Sequence, residues 1–304
     1  MAEREERKQA MLLGSFLADA FVLGAHWIYN VKVIKARFGE YDAPHEPLPG
    51  GWHEGKHLGD YTHYGDQALL LYNHMKEWQG RYTDDSFRGA WRHYMRSYTG
   101  YMDMASKDSL KAFEEGNLTG SQSDELGGAA RIAPVLYWTV DPQKALEKAV
   151  CQSRITHNSE PSLLATELFA RLTIRMLEGG ASPVPEALRV CLNDMKQAGK
   201  YTTLLEGYLA AAEAVSGKAA EDIAAVLGQS CHAHHAIPVI FALLLTSTDY
   251  RAVMSLNTRI GGDSATRGMI AGAILGARDG MGCLPPEWLA VVKRLPELPE
   301  VNQS

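Results

Sequence analysis

The spacing of apolar residues limits this chain most, because it is helical almost from end to end. Between Lys8 and Leu23, the residues Met11, Leu12, Phe16, Ala20 and Leu23 recur at three- and four-residue steps, the mark of a helix with one buried face. The same period predicts helices over 66–79, 84–98, 142–151, 161–178, 185–197, 203–215, 220–228, 233–246, 249–257, 264–277 and 286–294. Asp, Ser, Thr or Pro stands at their starts, as helix N-termini prefer. No pair of alternating strands is visible, and 135–140 is the nearest thing to a strand. With no fixed repeat and no low-complexity linker, the expectation is one all-α domain over 1–304.

Composition removes several alternatives. Hydrophobic residues make up 46% of the 304 and charged residues 22%, a globular balance. Thirty Lys and Arg against 36 Asp and Glu give a net charge of −6 with no polybasic block. That argues against nucleic acid or an anionic lipid surface as the main partner. The apolar runs at 237–245 and 269–277 are too short to span a bilayer, and the charged N-terminus is not a secretory signal. Four cysteines (Cys151, Cys191, Cys231, Cys283) lie far apart with no CxxC pair. The expectation is a reduced, cytoplasmic protein that neither enters nor lies on a membrane.

The breaks in the helical pattern carry the polar residues. Over 40–63, Pro44, Pro47, Pro49, Gly50, Gly51, Gly55 and Gly59 interrupt any long element, and His45, His53, His57 and His63 lie among or just beyond them. Long ordered loops of this kind often carry function. Three glycine-containing junctions each feed a helix: 61–67, 127–134 and 261–267. Such a turn offers free N–H groups to phosphate or carboxylate. Asp66 and Asp263 at these turns are either plain N-caps or ligands of a hard cation, and Thr266 stands three residues after Asp263 on the same helical turn.

Gly-Gly-Asp-Ser-Ala-Thr-Arg-Gly-Met-Ile-Ala-Gly-Ala-Ile-Leu-Gly-Ala at 261–277 resembles the C-terminal signature of the ADP-ribosylglycohydrolase family, Gly-Gly-Asp-Thr-Asp-Thr followed by a small-residue helix. Three further stretches agree in order: Gly14–Gly24 with Ala18-Asp19-Ala20, Gly127–Pro134, and Thr156-His157-Asn158. The variants at 25–29, 63–67 and 261–265 resemble most a sub-branch that includes the J-type lens crystallins. The resemblance implies a single compact domain of orthogonal helices. It also implies hydrolysis of a glycosidic bond at the anomeric carbon of a ribosyl or ADP-ribosyl compound, free or protein-linked, with magnesium in the site.

This chain departs from the family where the metal would sit. The motif Thr-Asp-Asp-Thr corresponds to Tyr64, Gly65, Asp66 and Gln67, and Ala265 replaces the middle acid of the second motif. Three of six ligands remain, Asp66, Asp263 and Thr266, so the expectation is one Mg²⁺ or none. Asp66 and Asp263 are the candidate catalytic acids, with His63 and His26 standing in for lost ones. Tyr64, Gly65, Gly127, Gly128, Arg131, His157, Gly261, Gly262 and Arg267 are the expected substrate-binding residues, and Trp27 and Trp52 are placed to stack on a planar base. A salt bridge from Arg267 to Asp66 or Asp263 would supply the missing metal charge. The alternative is a non-catalytic, crystallin-like structural or ligand-binding protein on the same fold. Thr83-Asp84-Asp85-Ser86 looks like a metal motif but reads as a helix cap, and His232, His234 and His235 read as surface or structural residues.

Overall fold

The structure is a computed structural model that describes residues 2–180, 182–200 and 202–299. Met1, at the start of the charged N-terminus, and positions 300–304 of the expected domain lie outside the described residues. The described residues run through sixteen α-helices: α1 (Ala2–Val22), α2 (Val31–Phe38), α3 (His63–Glu77), α4 (Asp84–Arg96), α5 (Met104–Glu114), α6 (Gly127–Ala130), α7 (Ile132–Trp138), α8 (Pro142–Arg154), α9 (Glu160–Gly179), α10 (Val184–Gln197), α11 (Thr203–Val215), α12 (Ala220–Leu227), α13 (Ala233–Thr246), α14 (Tyr250–Ile260), α15 (Ser264–Asp279) and α16 (Pro286–Leu289). Among the described residues there is no strand, only isolated bridges pairing Ser121 with His157 and Glu125 with His232.

The central pair is α1 against α15. Every residue of α15 from Ser264 to Ala277 is buried, which a surface helix with one polar face does not allow. Small residues bring the two backbones together. A Cβ added to Gly272 would lie 2.5 Å from the Gly14 carbonyl oxygen, so only glycine permits this crossing. α9, α13 and α14 pack around α15, and α3 and α7 close on α1.

Local chemistry fixes the ends that position the site. Thr83 and Ser86 form a reciprocal capping box at the start of α4, so the Asp84-Asp85 pair is first-turn charge on a capped helix. The strand-like run at 135–140 is helix through Trp138: with no neighbouring strand to pair with, its backbone groups bond within α7. The helix expected over 286–294 stops at Leu289, and the chain beyond it folds back along α3. Two short helices escaped the periodicity, α2 and α5, although Asn30 and Asp103 cap them through their side chains.

Candidate active site

The two surviving acids sit at helix starts with different surroundings. Thr62 caps α3, and both its N–H and its hydroxyl donate to Asp19 of α1, at 2.8 and 2.6 Å. Burial pushes the Asp19 carboxyl up to about 6, against the pull of these two bonds. A Cβ at Gly65 would stand 2.2 Å from Asp19 Oδ2. The space a side chain at Gly65 would need is therefore taken by a carboxylate from another helix. The neighbouring Asp66 is engaged by two cations. Lys56 Nζ donates to Asp66 Oδ2 at 2.5 Å, the Tyr98 hydroxyl donates to the same oxygen at 2.7 Å, and Arg294 donates to Oδ1. Asp66, Lys56, Tyr94, Tyr98, Asp60 and Arg294 line a cavity of about 580 Å³.

Asp263 caps α15 without a cation in contact. It accepts from the Thr266 hydroxyl at 2.8 Å and from the Thr266 N–H at 3.3 Å. Burial raises its pKa, opposed by Arg267 nearby and by these bonds. Arg267 forms no ion pair with Asp263 or Asp66. Its guanidinium donates to Asn257 Oδ1 at 3.0 Å and to the carbonyls of Gly261 and Gln229, at 2.5 and 3.3 Å, bracing the loop that leads into α15. Gly261 and Gly262 hold left-handed φ angles of 79° and 68°. At Gly262 a Cβ would also meet the Gln229 carbonyl at 2.0 Å.

A buried chamber lies between these helix starts, built from His26, His53, His63, Tyr64, Asp103 and His157. The His63 ring stands 3.8 Å from that of Tyr64, 6.4 Å from His26 and 6.4 Å from His53. Gly127 of α6 lets the His157 and Tyr64 rings close over it, since a Cβ there would lie 2.8 Å from His157 and 2.9 Å from Tyr64. Burial drives His26 well below the usual histidine range and His53 and His157 down to about 3. These three rings are neutral at neutral pH, so the 3.7 Å approach of His26 Nδ1 to Asp263 Oδ1 is not an ion pair. Burial works to raise Asp103, but His63 beside it, with His157 and the Ser106 N–H, holds it below the usual carboxylate range.

The hydrogen bonds assign the tautomers. His26 Nδ1 accepts from the Ala265 N–H at 3.3 Å, so its proton sits on Nε2. Thr156 Oγ1 takes an N–H from Arg131 and gives its own proton to His157 Nδ1 at 2.8 Å, so His157 also carries its proton on Nε2. His63 turns Nε2 to Asp103 Oδ2 at 2.9 Å, an electrostatic contact without the alignment of a full hydrogen bond, which leaves Nδ1 without a partner among the described residues. His26 Nε2, His157 Nε2, His53 Nε2, His63 Nδ1 and the Tyr64 hydroxyl have no hydrogen-bond partner among the described residues. Buried polar atoms without partners are rare in folded proteins unless a ligand or water meets them. This chamber has several.

The remaining expected site residues scatter. Arg131 commits its guanidinium to Gln152 and Gln67, at 3.0 Å each, and to Thr156, so it reaches the chamber only through His157. Gly128 lies against Ser153, where a Cβ would stand 2.1 Å from its hydroxyl. The surface histidine His232 meets Asp124 at 2.6 Å. Asp66 and Asp263 share no hydrogen-bonding partner. Among the described residues no group of three or more His, Cys, Asp or Glu is arranged to hold a metal ion. A divalent cation does not fit at Asp66, whose two oxygens already meet Lys56 and Arg294, and Asp263 with Thr266 offers too few hard donors for one. The positive charge that meets Asp66 comes from Lys56 and Arg294 and not from Arg267.

Sequence reasoning missed Asp103, Lys56 and Arg294, and gave His53 no role beyond its place in the 40–63 loop. Asp103 carried a signal as the cap of α5. Lys56 and Arg294 had none, because they reach Asp66 from positions 10 and 228 residues away.

A family profile described as ADP-ribosylglycohydrolase matches residues 1–303, and the chain belongs to that family. It is 21% identical to crystallin J1A of Tripedalia cystophora over 96% of this chain and 94% of that protein. It is 24% identical to the uncharacterized protein YegU of Escherichia coli (strain K12) over 99% of this chain and 94% of that one. Among solved structures, an ADP-ribosylglycohydrolase-related protein complex superposes with a TM-score of 0.75 at 20% identity, covering 96% of this chain and 94% of that one. At that identity the likeness concerns the fold. No described helix is long and apolar enough to cross a membrane.

Proposed function

We propose that this protein hydrolyses a glycosidic bond at the anomeric carbon of a ribosyl or ADP-ribosyl compound, free or protein-linked, and that the histidine chamber does the chemistry without a bound metal. One observation carries this reading: several buried ring nitrogens, on rings gathered from separate parts of the chain, are unpartnered among the described residues. His63, oriented by Asp103, offers Nδ1 to accept a proton from water. His26 and His157 offer Nε2–H groups to the departing or developing oxygen, held by Ala265 and Thr156. Asp263, raised by burial, stands 3.7 Å from His26 Nδ1 without a hydrogen bond to it, and the Ala265 N–H alone orients that ring. Asp66 holds the loop and the C-terminal segment together through Lys56 and Arg294, and takes no part in the chemistry.

The test is hydrolysis of a panel of N- and O-linked ribosyl and ADP-ribosyl compounds. His63→Ala is expected to lower kcat by about 10²- to 10⁴-fold with the fold intact. A metal chelator is expected to leave the rate unchanged. No turnover of any member of the panel by the wild-type protein, or equal turnover by His63→Ala, sinks the reading. The second reading, a non-catalytic protein, is favoured by the space at Gly65 being taken by Asp19, by the loss of the acid at Ala265, and by the likeness to crystallin J1A. It is the outcome that absent turnover would support.

A further inference from the structure

Beside the chamber, Trp27, Trp52 and Tyr101 meet as the three walls of a corner. Trp27 and Trp52 stand 5.9 Å apart at 84°, Trp27 and Tyr101 4.8 Å apart at 77°, and Trp52 and Tyr101 5.4 Å apart at 81°. A planar base sandwiched between Trp27 and Trp52 would need parallel walls, which these rings do not form with each other. The space before the corner is a cavity of about 190 Å³. Asp103, Glu125, Tyr29, Met104 and Cys231 complete its lining, which contains no Lys or Arg among the described residues. Asp103 is buried, and its Oδ2 has His63 Nε2 2.9 Å away as an electrostatic contact without an aligned hydrogen bond. Lys107 lies 5.7 Å from the Tyr101 centroid and is the nearby cation to be outcompeted.

The corner is held at a backbone cost. Trp27 has a φ of 64°, the left-handed region that large residues avoid. Two reciprocal backbone bonds fix it there, Trp27 N–H to the Gly262 carbonyl and Gly262 N–H to the Ile28 carbonyl, each 2.9 Å. Strain of this kind persists where surrounding structure enforces it and clusters at ligand sites.

We propose that this aromatic corner, with the Asp103 carboxylate beside it, binds a compact alkylammonium cation such as a quaternary ammonium group. Ring faces attract a cation through their quadrupoles, and mutually perpendicular walls suit a nearly spherical one. A guanidinium prefers a parallel face and a free carboxylate fork. Neither is present, since Asp103 Oδ1 takes the Ser106 N–H at 2.5 Å and Glu125 Oε1 takes the Cys231 thiol at 3.0 Å. The inference is independent of whether the chamber cleaves anything, because it is read by binding.

The experiment titrates the full-length protein with choline chloride, following tryptophan fluorescence and heat. The controls are the neutral isostere 3,3-dimethylbutan-1-ol, L-arginine and adenosine. Choline is expected to bind at least about tenfold more tightly than the alcohol and than arginine. Trp52→Ala, at a half-exposed position where the fold does not depend on the ring, is expected to weaken choline by at least about tenfold, and Trp52→Phe to restore most of it. Asp103→Asn is expected to weaken choline but not the alcohol. Equal binding of choline and the alcohol, tighter binding of arginine or adenosine, or no choline signal at about 10 mM would each overturn the proposal.

Discussion

The starts of α3 and α15 present the same residue type in the same local setting and treat it in opposite ways. Asp66 and Asp263 are both buried carboxylates in the first turn or cap of a helix. Asp66 receives Lys56 from the 40–63 loop and Arg294 from the segment after α16, so its charge is balanced by groups that tie distant chain together. Asp263 accepts only from Thr266, with the neutral His26 nearby, and burial raises its pKa against the pull of Arg267 and those bonds. The difference teaches that one side has become a staple while the other keeps a carboxylate and several rings in protonation states that can change. The family's two metal motifs have diverged along separate lines.

The sharpest way to break this contrast is to put the missing acid back. Gly65→Asp adds a carboxylate whose Cβ starts 2.2 Å from Asp19 Oδ2, beside a second acid at Asp66. Overpacking and like-charge burial together are expected to cost roughly 3 kcal/mol or more, read by urea unfolding. Magnesium is expected not to recover it. Full stability, or recovery with millimolar Mg²⁺, would mean that Asp19 yields and that the metal site is dormant rather than replaced.

Removing each acid in turn compares the two sides directly. Asp66→Ala strands Lys56, whose side chain is 16% exposed, and releases Arg294, which is 47% exposed. Losing one partner of a buried pair is costly, and the exposure of Arg294 discounts it, so about 2–3 kcal/mol is expected. Asp263→Ala loses a cap and one hydroxyl bond but also removes a carboxylate that burial disfavours, so about 1 kcal/mol is expected. If Asp263→Ala proves the more damaging, the assignment of Asp66 as the staple fails.

Acid reads the α15 side. His26, His53 and His157 are neutral in the fold with pKa values below the ordinary 6.5, so below that pH the unfolded chain binds protons that the folded one does not. Their contribution is present above pH 6.5 and is lost as pH falls from there toward about 3. Asp19, raised to about 6, and Asp263 act in the opposite sense, favouring the fold at low pH and losing that advantage as pH rises through their folded values. Between pH 7 and 5 the histidines are expected to outweigh the two carboxyls, leaving a net loss of stability on acidification. The check is the unfolding midpoint from pH 7 to 5, expected to fall, with a shallower slope in His53→Asn. A midpoint that rises on acidification would mean that the two carboxyls dominate.

The sequence made most helices legible because their apolar period and capped starts are local facts, as Thr83-Asp84-Asp85-Ser86 shows. Helices α2 and α5 were lost because eight and eleven residues leave little periodicity, though Asn30 and Asp103 announced their starts. Within the candidate site, His26, His63 and His157 were legible through the motifs around them. Their common chamber was not, since it joins position 63 in α3 with positions 26, 53, 103 and 157 in four separate connecting segments. The fate of Asp66 was the least legible of all. A carboxylate at a helix start looks the same in sequence whether its counter-charge is a metal, a lysine or nothing.

The smallest effect tests whether the staple is a network or a pair. Tyr98 donates its hydroxyl to the same Asp66 oxygen that Lys56 meets, at 2.7 Å. Burial is the main reason its own pKa is driven far up, with Asp66 adding to it, so it remains a donor across the whole working range. Tyr98→Phe keeps the ring and removes only that bond, for an expected loss of about 1 kcal/mol. The informative measurement is the double-mutant cycle with Lys56→Met. If the two donors merely share an oxygen, the losses add within about 0.5 kcal/mol. If Tyr98 fixes the rotamer that lets Asp66 hold both Lys56 and Arg294, the double mutant loses less than the sum, because the first change has already loosened what the second would break. Strict additivity would reduce the α3 side to separate contacts and weaken its contrast with α15.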